Sequence, residues 1–134
     1  MNISSLSEDT GKLILRLSVG GMMLFHGVAK IMHPGSLDFI GGMLAGYGLP
    51  SILAYGVYVG EVLAPLMVIA GYKARIGGLL MAINMLFALV LAHTGDFFSL
   101  SEHGGWMVEL QMFYLLSAVA VIFLGSGRHA VQPD

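Results

Sequence analysis

Three stretches of this chain, residues 39–60, 76–95 and 110–127, contain no Asp, Glu, Lys or Arg. A bilayer-spanning helix needs about 20 consecutive apolar residues, and runs of this length are hard to accommodate in a small water-soluble domain. Composition agrees: 57% of the residues are hydrophobic, 10% are charged, and the mean hydropathy is +0.84. The class these values define is a membrane protein.

Segmenting the apolar runs predicts spans near 13–32, 52–70, 76–92 and 106–124, within one membrane domain covering 1–134. The expected fold is therefore all-α, an integral membrane four-helix bundle. The short GYKAR joins the second and third spans as an antiparallel hairpin, whereas longer loops follow the first and third. In the first of these loops Leu37, Ile40, Leu44 and Tyr47 recur at helical spacing, which predicts a short interfacial helix over about 37–47.

Lys12, Arg16, Lys73, Arg75 and Arg128 fall on one side of these spans and only Lys30 on the other. The positive-inside rule then places both termini in the cytoplasm and the longer loops outside. The polar opening MNISSLSEDTGK lacks the basic start and small-residue cleavage site of a signal peptide, so the first span is expected to remain uncleaved. No basic patch points to nucleic acid. With no cysteine, the chain has no disulfide, thiol nucleophile or thiolate ligand.

Polar groups within the oil carry the functional expectation. Counting along the helices at about 1.5 Å per residue puts Glu61 and Asn84 near mid-membrane, with His26, Gln111, Glu109 and Lys30 progressively farther out. A lipid-facing carboxylate at that depth is costly, so Glu61 should face the interior, beside the small-residue ridge of Gly56, Gly60 and Ala64. Pro65, which has no N–H, leaves the Glu61 carbonyl without its usual helical donor. Arg16, Gly20, Met23, Gly27 and Lys30 form a matching stripe on the first span, bordered by His26. The expected site is a buried polar pocket with Glu61 and His26 as the candidate catalytic residues, Glu61 exchanging a proton and His26 hydrogen-bonding a ligand carbonyl, while Arg16, Lys30, Asn84, Glu109 and Gln111 bind the ligand.

Plainer roles stay open for several of these residues. Arg16 and Lys30 could snorkel to the headgroups, Asn84 and Gln111 could be interhelical hydrogen-bond glue, and Glu109 could be a helix N-terminal acid. His26, His33, His93 and His103 all lie on the outer side, but no pair has the i, i+4 spacing of a helical metal site, and no metal site is read. The ten methionines read as adaptable packing.

LILRLSVGGMMLFHGVAKI resembles the first helix of DoxX-like membrane proteins in its order of Arg16, Gly20, Phe25, Gly27 and Lys30. GEVLAPLMVIAGYKAR is similar to that family's second signature, through Glu61, Gly71 and Arg75, and FLGSGRHAV resembles its Gly-rich exit from the last helix. The resemblance implies a four-helix protein of the bacterial cytoplasmic membrane, an accessory subunit of a quinone-linked redox or respiratory system. Quinone is the implied ligand, and no intrinsic cofactor is read. The expected partners are the bilayer, redox-complex subunits and further copies of the chain. A small permease or proton-coupled carrier, or a scaffold whose buried charges fix helix register, remain the alternatives.

Overall fold

The computed structural model describes residues 3–134, so the first two residues of the polar opening lie outside it. The described residues form five longer helices, α1 (Ile3–Met32), α2 (Gly35–Gly46), α3 (Ser51–Ala70), α4 (Ala74–Ala92) and α5 (Glu109–Leu124), with a short 3-10 turn at Thr94–Asp96 after α4. The described residues contain no strand, only two isolated bridges, Tyr72 with Gln132 and Leu100 with Trp106. Helices α1, α3 and α4 are long and apolar enough to cross a membrane. Helix α5, with 16 residues, is about 24 Å long, short of the roughly 30 Å hydrocarbon core.

Helix boundaries follow local chemistry. Helix α1 starts well before the apolar run, and its polar first turns are held by the tail: Asp9 is buried and its Oδ1 accepts the Arg128 backbone N–H at 3.2 Å. Helix α5 starts at Glu109, later than the expected 106, because Trp106 is committed to a loop. Its indole Nε1–H donates to the Phe97 carbonyl at 2.7 Å. Helix α3 stops at Gly71, which takes the left-handed conformation (φ 74°) that glycine adopts without steric cost. There the Gly71 and Tyr72 N–H groups both turn back to the Met67 carbonyl.

The interior is assembled from small and flexible side chains, with Met23, Ala64, Val68, Met81, Ala118 and Val121 all almost fully buried. Close backbone approach makes this possible. A Cβ on Gly78 of α4 would lie 2.8 Å from the Ala118 carbonyl of α5, and one on Gly20 of α1 would lie 2.7 Å from Ile69 of α3. Small residues at helix contacts are how bundles pack in lipid, where neighbouring helices gain little from excluding water. The outside is apolar as well: Phe25, Phe113 and Phe123 are each more than 70% exposed. Such a surface suits acyl chains and not water.

One end of the bundle is closed by arginines and the chain's tail. Arg16, 1% exposed, donates to the carbonyls of Val68 (2.9 Å) and Ile69 (3.0 Å) in the last turn of α3, and to Ser126 (2.7 Å) and His129 (2.8 Å) in the tail. Arg75 does the same for α5, with Nη1 donating to the Ile122 and Phe123 carbonyls. Helix C-terminal carbonyls lack intrahelical donors, and a guanidinium satisfies several at once while complementing the helix dipole. The Val131 and Gln132 N–H groups add bonds to Ala70 and Gly71. Asp134 completes the closure, its carboxylate accepting the N–H groups of Ser126 (2.8 Å) and Arg75 (3.1 Å).

Candidate functional site

Near its middle, α3 departs from α-helical geometry. Residues Val59–Leu63 form a π-turn, in which the Ala64 N–H reaches back to the Val59 carbonyl. Pro65, supplying no N–H for the Glu61 carbonyl, accounts for a disturbance at this place, and π-turns are recurrent devices for re-aiming side chains in helices. The freed Glu61 carbonyl is not open to a ligand. It lies against Gly27 of α1, where a Cβ would come within 2.0 Å of the oxygen.

The Glu61 side chain points inward and is 6% exposed. Its Oε1 is ion-paired with Lys30 Nζ from α1, and its Oε2 accepts from Asn84 Nδ2 of α4 at 2.8 Å. Gly60 makes room for the second bond, since a Cβ there would lie 2.4 Å from Asn84 Cβ. Three helices therefore converge on one carboxylate. Lys30 and Glu61 cancel in charge, which is how ions are accommodated away from water.

This cluster forms the floor of a cavity of about 740 Å³. Phe39, Ile40 and Met43 of α2 cover it, Val57 of α3 and Phe87 of α4 supply its walls, and His93 stands at its far end. A largely apolar chamber with a few convergent polar groups is the usual form of a small-molecule site, and this volume lies within the range of such sites. The loop helix expected over 37–47 appears as α2 and roofs the chamber.

The structure brings together only part of the expected site set. Lys30, Glu61 and Asn84 meet at the floor. Arg16 does not: it lies 14 residues before Lys30 on α1, about 21 Å away along the axis, with its guanidinium occupied by four carbonyls. His26 lies outside the cavity, exposed, with its ring edge-on to Tyr114 at 5.5 Å and 89°. Glu109 is also exposed, in the first turn of α5, its carboxylate close to Gly105. Gln111 reaches the site only indirectly, with Nε2 lying 3.3 Å from His93 Nε2 and its buried Oε1 lacking a hydrogen-bond partner.

His93, absent from the expected site set, is the addition. Its Nδ1 lies 3.1 Å from Asp96 Oδ2, so both ring nitrogens are engaged at the outer end of the cavity. The i, i+3 spacing of His93 and Asp96 was the available signal in the sequence, and it is a common spacing. Among the described residues no three His, Asp or Glu side chains gather as a metal site.

An all-helical chain with apolar outer faces, three helices of spanning length and a buried glutamate paired with a lysine is an integral membrane protein. The chain belongs to the DoxX family, whose model matches residues 11–94. It is 27% identical over 128 residues to the protein named "Putative oxidoreductase CatD" of Bacillus subtilis (strain 168), covering 95% of this chain and 88% of that one. No solved structure gives a significant match.

Proposed function

We propose that this protein is an accessory subunit of a quinone-linked redox or respiratory system in the bacterial cytoplasmic membrane, and that it holds a quinone-like molecule in the cavity above Glu61. The observation that carries this reading is the 740 Å³ apolar chamber with Lys30, Glu61 and Asn84 at its floor. The name of the Bacillus relative supports the redox setting. The chamber accommodates an apolar ring and tail, while Lys30 and Asn84 offer N–H donors to a carbonyl and Glu61 can exchange a proton when the ring changes oxidation state.

In this reading α1, α3, α4 and α5 are the four spans and α2 lies at the outer interface. The end closed by Arg16 and Arg75 faces the cytoplasm with both termini, because basic residues collect there. The site is narrower than the sequence-based set. Lys30, Glu61 and Asn84 act on the ligand, while Arg16, His26, Glu109 and Gln111 serve helix ends and contacts around it.

Extraction of detergent-purified protein tests the proposal. The native protein should yield about one quinone per chain, and Glu61→Gln should reduce that yield at equal folded protein. A quinone-free native protein, or undiminished quinone in the variant, overturns it.

A further inference from the structure

The roof of the chamber is fastened to both walls beneath it. Tyr47, just past the end of α2, donates its hydroxyl to the Val90 carbonyl of α4 at 3.2 Å. Gly41 of α2 rests on the start of α3, where a Cβ would lie 3.3 Å from Ser51 Cβ, and Leu44 is 2% exposed. At the far end His93 is held between Asp96 and Gln111. Below the floor α3 and α4 touch, since a Cβ on Gly77 would lie 2.8 Å from Val68. On the inner side α1 presses against α3 through Gly27.

The remaining side looks outward. Leu79, Ile83 and Leu86 of α4 recur at spacings of four and three and are each more than 40% exposed, so they form one outer face of that helix. Tyr55, Val59 and Leu63 form a similar exposed face on α3. Ile83 and Val59 belong to these outer faces and also line the cavity. At these two residues the chamber wall is one side chain thick.

Depth decides what lies beyond that wall. Val59 is two residues from Glu61 and Ile83 is next to Asn84, which puts both within about 3 Å of the floor along the helix axes. They also stand near the middle of two helices long enough to span a membrane. The thin wall therefore meets hydrocarbon, where charged solutes are strongly disfavoured.

Resting on the reading proposed above, we infer that the chamber is loaded sideways from the bilayer interior, through a gate between Val59 of α3 and Ile83 of α4, and so serves a neutral molecule that dwells among acyl chains. Moving two aliphatic side chains aside breaks no hydrogen bond. Lifting the roof breaks the bond from Tyr47 to Val90 and exposes Leu44. A molecule passing the gate meets Lys30, Glu61 and Asn84 at once, because gate and floor lie at the same depth.

Release of tritiated 2-decyl-1,4-benzoquinone from the protein in nanodiscs into excess protein-free liposomes tests this, with protein-free nanodiscs as the blank and Kd measured in parallel. Ligand leaves by the path it enters, so release reads the gate. Ile83→Trp should slow release and Val59→Ala/Ile83→Ala should quicken it, each by at least about fivefold more than any change in Kd, the scale of adding or removing bulk on a path. Tyr47→Phe, which frees the roof from Val90, should stay within about twofold of the native rate, as a change off the path does. If the tryptophan variant holds no quinone, the widened variant decides alone. Release that merely follows Kd in the gate variants, or that quickens in Tyr47→Phe, overturns the inference and leaves the ligand chamber standing. If the native protein retains no more quinone than the blank, the chamber reading is refuted and this inference with it.

Discussion

Gly27 of α1 and the main-chain carbonyl of Glu61 on α3 are in direct contact, with no room for even a methyl group between them. The contact lets α1 approach closely enough for Lys30, three residues on, to pair with the Glu61 side chain. A backbone oxygen is the obstacle, so the crowding cannot be relieved by a change of rotamer. Gly27→Ala should cost about 1–3 kcal/mol of stability, the usual range for overpacking. Gly21→Ala on the same helix meets nothing within 4 Å and should be neutral or stabilising by up to about 1 kcal/mol. Thermal unfolding of the two variants in the same detergent reads the difference directly.

The Arg16 network predicts a failure of conservative substitution. An ammonium cannot reproduce the planar fork by which one side chain reaches the Val68, Ile69, Ser126 and His129 carbonyls. Arg16→Lys should lose about 2–4 kcal/mol and release the tail, making residues 125–134 the first site of proteolytic cleavage. Because the network lies 14 residues before Lys30 on α1, about 21 Å away along the axis, quinone content per folded protein should be retained. Limited proteolysis together with quinone extraction separates the two effects.

Tail closure should also depend on acid. Burial by itself raises the Asp134 carboxyl, but the N–H donors of Arg75 and Ser126, the Ser126 hydroxyl and the Arg75 charge outweigh it and hold the group below its usual value of 3.8. A carboxyl depressed by folding contributes stability that is fully present above its unfolded value and is lost as pH falls through the folded one. Tail amide hydrogen exchange, corrected for intrinsic rates, should therefore be steady down to about 3.8 and accelerate below it. In Asp134→Asn exchange should be faster at neutral pH, and the acceleration specific to that low-pH window should be absent.

Much of this arrangement was legible in the sequence because bilayer energetics leave few options. Charge-free runs mark the long apolar helices, and a glutamate within one of them must turn inward. The helical spacing of Leu37, Ile40 and Leu44 was enough to indicate α2. What could not be read depended on chain segments far apart in sequence. Arg16 sits on the same stripe as Lys30, yet it is taken by carbonyls more than 100 residues away in the tail. Periodicity gives the face of a residue but not what arrives there. His26 and His93 show the same limit: neither helical phase nor depth indicates that the cavity would open between α2, α3 and α4, leaving His26 beside Tyr114 and bringing His93 to its end.

The proposed quinone-like ligand would occupy the chamber under α2, with its polar end at Lys30, Glu61 and Asn84. Photoaffinity labelling of the membrane-embedded protein with an azido-quinone, mapped by peptide mass spectrometry, tests this placement most directly. Adducts are expected on α2 and the facing part of α4, at residues such as Phe39, Met43 and Phe87, suppressed by excess unlabelled quinone. Saturable labelling concentrated instead on the outer face of α1 and α5, around His26 and Phe113, would contradict it.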